Sequence, residues 1–129
     1  MICLKMLNVI CAGFPAYDWN GFERVYAIVG LKYGNYVVID RFCEIPNSSD
    51  TPKDTFTVVV KDLFVIASSL CSPESIVGFA HTHPPSKYLP SDEDIAGIGE
   101  NLFGIVFCED KRVWYDKSGE IVVNYLNQL

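Results

Sequence analysis

Two histidines, His81 and His83, are the only ones in the chain, and they stand two residues apart. Side chains alternate along an extended strand, so imidazoles at i and i+2 point to the same side and can converge on one metal ion. Seven residues separate His83 from Ser91, and two more separate Ser91 from Asp94. A carboxylate at Asp94 could complete a set of two histidines and one carboxylate. That set leaves the fourth tetrahedral position of zinc open to water, whereas structural zinc sites are closed and usually contain cysteine. An open site implies catalysis. Singly, each residue has an ordinary reading: His81 as a hydrogen-bonded core histidine, His83 as a turn residue before Pro84, and Ser91 with Asp94 as a capping box. Jointly, this fixed pattern arises by chance in a chain of this length on the order of once in several thousand at average residue frequencies, which favours the metal site.

The surrounding elements must bring these residues together. Ser75 to His81 is apolar and β-prone, and predicts an interior strand that delivers the histidines at its end. Pro84, Pro85 and Pro90 make the following segment a loop. Ser91-Asp92-Glu93-Asp94 predicts an N-cap with acids in the first turn, both favoured at the positive end of a helix dipole, and a short helix to about Asn101. Upstream, Arg24 to Lys32 and Tyr36 to Glu44 are rich in Val, Ile and Tyr, and Tyr33-Gly34-Asn35 between them predicts a hairpin turn. Thr55 to Val59 is short and β-branched, after a loop over Ile45 to Asp54. Val60, Leu63, Phe64, Ala67 and Leu70 form the stripe of an amphipathic helix packed on a sheet. Ile2, Met6, Val9 and Ile10, with Leu7 and Phe14 alongside, recur at helical spacing and predict a first helix ended at Phe14-Pro15. Phe103 to Cys108, Arg112 to Tyr115 and Ile121 to Tyr125 predict three further strands.

His81-Thr82-His83-Pro84 with Ser91 and Asp94 at these spacings resembles the JAMM motif (H-x-H-x7-S-x2-D) of the MPN/JAB-domain metalloproteases. Glu23, followed by Arg24 to Val29 and Gly30, resembles the glutamate element that this family places well upstream. Tyr26 stands where the family often has glycine. Asn47, Pro52 and Phe56 resemble the loop after the hairpin, and Gly78 precedes the motif as in relatives. The resemblance covers roughly Gly21 to Phe107. It implies an α/β fold, a mixed, curved sheet flanked by helices in a single MPN/JAB-like (cytidine-deaminase-like) domain over residues 1–129. It also implies one catalytic zinc per chain, with His81, His83 and Asp94 as ligands and a peptide or isopeptide bond as substrate. Zinc lowers the pKa of its water and polarises a carbonyl, and a neighbouring carboxylate shuttles the proton to the leaving amine. Glu23 is the candidate for that shuttle, with Glu44 as its rival. Ser91 is the candidate oxyanion donor rather than a nucleophile, since both histidines are engaged on metal.

Composition narrows the remaining classes. The 129 residues suit one ordinary domain, half of them are hydrophobic, and no apolar run approaches the roughly 18 to 20 residues that span a bilayer. Ten basic against sixteen acidic residues give a charge of −6, which argues against nucleic acid or anionic membrane as a partner. The segment from Met1 to Phe14 lacks the charged head, hydrophobic block and cleavage site of a signal peptide. Five scattered cysteines without a CxxC pair fit free thiols in a reducing cytoplasm. A cysteine protease built on Cys43 or Cys71 leaves the histidine and Ser-Asp spacing unexplained. A zinc nucleobase deaminase needs H-x-E and P-C-x-x-C elements, which are absent. JAMM-like domains of the bacterial DNA-repair-associated type share HxHP with a downstream Ser and Asp, but the acidic charge weakens that reading. A non-catalytic MPN scaffold is the alternative of a different class, and intact candidate ligands favour catalysis over it. The 57 residues between Glu23 and His81 leave little room for long insertions. A minimal prokaryotic or phage-type peptidase is therefore expected, acting on a protein or peptide such as a ubiquitin-like or sulfur-carrier protein.

Overall fold

The computed structural model of the chain describes residues 6–51 and 56–126. Its strands are β1 (Met6–Cys11), β2 (Val25–Tyr33), β3 (Tyr36–Ile45), β4 (Ser75–Thr82), β5 (Phe103–Cys108), β6 (Lys111–Asp116), β7 (Gly119–Glu120) and β8 (Val122–Tyr125). They form one mixed sheet in the order β7-β6-β5-β4-β2-β3-β1-β8. Two helices, α1 (Val60–Ser68) and α2 (Asp92–Gly97), are the α-helices among the described residues. The architecture is therefore richer in sheet than the sequence suggests.

The sheet is strongly curved. Trp114 on β6 and Tyr125 on β8 lie near opposite ends of the strand order, yet the Trp114 indole Nε1 donates to the Tyr125 hydroxyl at 3.1 Å. Phe14 packs edge-on against both rings. Leu7, Val9, Tyr26, Ile28, Val37, Ile39, Ile105 and Phe107 fill the concave side as the main core. On the other face two smaller clusters sit under the helices. Val25, Ala27 and Ile45 meet Leu63 and Ile66 of α1, and Val106, Cys108 and Tyr115 meet Ile95 and Ile98 at α2. Gly78 lets β4 and β5 run this close, since a Cβ there would stand 2.3 Å from the Phe103 carbonyl oxygen.

Four expectations are corrected. The segment read as a first helix is strand β1, with Leu7, Val9 and Cys11 buried and Met6 and Ile10 outward. So short an apolar run fits both periods, and pairing in parallel with β3 on one side and β8 on the other decides for the strand. Ile2, also assigned to that helix, lies outside the described residues. Phe56 to Val59 is not a strand. It is tied to the preceding loop instead, with Thr57 N donating to the Asn47 side-chain oxygen and Ser48 N to the Thr57 carbonyl. Thr55 and Pro52 lie outside the described residues. The expected stripe of α1 holds only in part: Leu63 packs on the sheet, but with Ile66 as its companion, while Val60 and Phe64 are 78% and 70% exposed. The helix is apolar on two sides, so periodicity alone cannot choose between them. Finally, α2 stops at Gly97 instead of Asn101, because Ile98 turns extended to enter the core.

The hairpin, β4 and the β5–β6 pair lie where the sequence places them. Within it, β4 and β5 are parallel neighbours, so the chain must cross over between them. The motif loop and α2 make up that crossover. The histidines consequently stand at the carboxyl end of a strand, where open sheets commonly place their sites.

Candidate metal centre

Sheet register brings the upstream glutamate to the histidines. Val25 pairs with His81, and the pairing continues one step outward as Arg24 N donates to Thr82 Oγ1 at 2.8 Å and Thr82 N donates to the Arg24 carbonyl. Glu23 therefore emerges beside β4, with its own carbonyl held by the Asn47 side-chain amide at 2.9 Å. Glu23, His81 and His83 are buried, at 2%, 0% and 6% exposure. One ligand atom from each lies within 4.8 Å of the others. Asp94 approaches from the other side, Oδ2 at 3.1 Å from His83 Nε2 and Oδ1 at 3.6 Å from His81 Nε2. His83 Nδ1 faces the Lys87 carbonyl at 3.0 Å, an acceptor only, so this nitrogen carries a proton and Nε2 is the nitrogen turned toward the site.

The donor set fits a cation. Glu23 Oε1 is 3.3 Å from His81 Nδ1, yet neither atom has a hydrogen-bond partner. Buried polar atoms without partners are rare in folded proteins, and two imidazoles with one carboxylate, supplied by Asp94 or by Glu23, make a ligand set that zinc takes. At the site His83 and Asp94 pair directly. Burial pulls the His83 pKa down, but the Asp94 hydrogen bond and the charges of Glu23 and Asp94 outweigh it and leave it raised. Burial likewise raises Asp94, and the His83 hydrogen bond, the His81 charge and the Ser91 backbone N–H reverse it, so the carboxyl lies below its ordinary value.

Ser91 is the N-cap of α2: its Oγ accepts from Asp94 N at 3.0 Å, and Asp94 Oδ2 accepts from Ser91 N at 2.9 Å. This reciprocal box aims the Asp94 carboxylate at the imidazoles, and it leaves the Ser91 hydroxyl hydrogen available to donate. Two cavities flank the cluster, and Ser91 lines both. One, about 320 Å³, includes Asp94 and Tyr115; the other, about 390 Å³, includes Glu23, His83, Lys87 and Tyr88.

All five residues singled out in the sequence, Glu23, His81, His83, Ser91 and Asp94, thus meet in one place. Glu44 does not. Its carboxylate is forked to the Arg24 guanidinium, with Arg24 Nε donating at 2.7 Å, and this hydrogen bond holds its pKa below the usual carboxylate range. The motif reading missed Tyr115, which has no local signal. Its hydroxyl lies 3.1 Å from His81 Nε2, and burial together with the Asp94 and Glu23 charges pushes its pKa well above the usual tyrosine value. Gly104, opposite it on β5, makes room: a Cβ there would stand 2.2 Å from the Tyr115 ring. Gly104→Ala is therefore expected to cost roughly 1–3 kcal/mol by overpacking, seen as a lowered melting temperature, and to disturb zinc uptake because the displaced ring abuts His81. An unchanged melting temperature would show that the ring relaxes freely.

No protein-family model and no curated protein matches the sequence. Solved structures do. Protein DSY2949 from Desulfitobacterium hafniense superposes with a TM-score of 0.67 at 18% identity, over 85% of this chain and 82% of that one. AF2198, a JAB1/MPN domain protein from Archaeoglobus fulgidus, superposes with a TM-score of 0.54 at 19% identity, over 84% of this chain and 83% of that one. With its curved mixed sheet and a Glu-His-His cluster at the end of β4, the chain has the fold of a JAB1/MPN domain.

Proposed function

We propose that the protein is a zinc-dependent peptidase or isopeptidase of the JAMM type, with one zinc per chain held by His81, His83 and Asp94. The observation that carries this reading is the buried convergence of two imidazoles and two carboxylates that leaves Glu23 Oε1 and His81 Nδ1 without hydrogen-bond partners. Zinc bound there would polarise the scissile carbonyl and lower the pKa of water toward neutrality. Glu23, which lines the second cavity and lies beside His81, takes the proton from the attacking water and returns it to the departing amine. Ser91, at the junction of the two cavities, donates its hydroxyl to the carbonyl oxygen as negative charge builds there. The balance is simple: water adds to the acyl carbon, the C–N bond breaks, and the amine leaves with the proton.

The substrate class is a protein or peptide, including the tail of a ubiquitin-like or sulfur-carrier protein, and the free thiols of Cys43, Cys71 and Cys108 suit a reducing cytoplasm. Among the described residues no helix is long and apolar enough to cross a membrane. Elemental analysis joined to cleavage of a panel of ubiquitin-like fusions tests the whole reading. One equivalent of zinc with chelator-sensitive cleavage supports it; a protein that takes up no zinc, or binds it and cleaves nothing, points to a non-catalytic MPN-type scaffold.

Ser91→Ala separates two roles of one hydroxyl. Turnover should fall roughly 10²- to 10³-fold with zinc retained if Ser91 is an oxyanion donor of ordinary strength. Loss of the cap should also cost about 1 kcal/mol, so rates are to be compared where circular dichroism shows the variant folded. Turnover equal to wild type in that range would reduce Ser91 to its capping role.

A further inference from the structure

Ser91 apart, the two cavities beside the metal centre are lined by different residues. The one that includes Glu23 is bounded by Ser86, Lys87 and Tyr88 together with Pro84 and Leu89. The one on the Asp94 side is walled by Phe56, Val58, Phe79 and Ile98, alongside the acids Glu93 and Asp94 and Tyr115. Its volume of about 320 Å³ falls at the lower end of ligand pockets, roughly 300–1,000 Å³, and suits one side chain better than a whole ligand. We propose that this cavity is a specificity pocket for a bulky apolar side chain, of the leucine or phenylalanine class, on the substrate residue adjoining the bond to be cut. The proposal rests on the peptidase reading for that bond, but not for binding in the pocket.

Three observations carry it. The apolar wall is continuous with the reactive groups, because Asp94 belongs both to the cavity and to the cluster around His81 and His83. An acidic side chain is excluded, since Glu93 and Asp94 in the lining would repel a carboxylate that also loses its water on entry. The third is Gly97, the last residue of α2 and part of the wall, at which a Cβ would meet nothing within 4 Å. The glycine puts no side chain at this wall, and its helical backbone can carry any L residue, so a larger group can be placed beside the pocket without altering a metal ligand.

The test uses the full chain as purified, with N-acetylphenylalaninamide, N-acetylleucinamide and N-acetylglycinamide as probes and backbone amide shifts as readout. The two bulky amides should bind saturably and shift the Gly97, Ile98 and Phe79 signals, while the glycine amide should not. Gly97→Leu should weaken their binding at least about 10-fold, the loss expected when a hydrophobic pocket is obstructed, with zinc content unchanged. Gly97→Ala, the gentler variant, should give an intermediate loss. In peptides that the wild type cleaves, Leu or Phe next to the scissile bond should be preferred over Gly by roughly 100-fold, and Gly97→Leu should erase the preference. Equal binding of the glycine amide, or wild-type binding in both Gly97 variants, overturns the pocket, as does indifference of cleavage to that residue. If the bulky amides bind at Gly97 but no peptide is cleaved, the pocket stands and the peptidase reading falls.

Discussion

His81→Ala and Asp94→Ala are each expected to abolish stoichiometric zinc uptake, with affinity falling more than about 100-fold. Removal of an outer hydrogen-bond partner of a ligand already costs roughly 10- to 100-fold, and these changes remove the ligand itself. Their effects on the fold should differ. His81 is fully buried between Glu23, Tyr115 and the Phe56 ring, whose centroid lies 4.5 Å from that of the imidazole. Its loss opens a cavity in the interior, so destabilisation of several kcal/mol is expected, on the scale of a large-to-small core substitution. Asp94 lines the first cavity, and its loss also removes one half of the capping box, for about 1 kcal/mol. Elemental analysis and thermal melts on the same samples read both quantities. Zinc bound by either variant at the wild-type level would place the metal elsewhere.

Glu23→Gln should lower turnover by roughly 10²- to 10⁴-fold, the range for losing a positioned general base, while the protein stays folded and keeps its zinc. The amide has the shape of the carboxylate and can still hydrogen-bond, but it cannot accept the water proton at neutral pH. The comparison variant is Glu44→Gln. Glu44 belongs to an exposed ion pair with Arg24, its side chain 45% accessible, and such pairs contribute at most about 1 kcal/mol after solvent screening. Turnover should be unchanged in that variant. Rates measured at equal zinc occupancy decide between the two carboxylates, and a Glu23→Gln protein that loses zinc together with activity would make Glu23 a ligand instead of the proton shuttle.

The chemistry of this site is unusually legible in the linear chain because most of it lies in one segment. From His81 to Asp94 the ligand types, the two-residue strand period and the cap of a short helix are local properties, and each follows from neighbours in sequence. The β2–β3 hairpin is local in the same sense. What lies far apart in sequence was legible only by resemblance. Glu23 stands 58 positions before His81 and reaches it because Arg24 and Thr82 continue the β2–β4 ladder past Val25 and His81.

Other features had no sequence signal at all. Tyr115 reaches His81 through the register of β6 on β5 and the missing side chain of Gly104, and both are facts of pairing, not of composition. The first apolar segment carried both a helical and a strand period, and only the places it fills between β3 and β8 settled which one the chain adopts. For α1, apolar on two sides, the sheet chose the Leu63–Ile66 face and left Val60 and Phe64 outside. The sequence by itself determined the ligand types and their spacing, since these follow from covalent neighbours. The tertiary structure decided which distant carboxylate and hydroxyl approach them, because strand pairing joins residues that sequence separation alone cannot bring together.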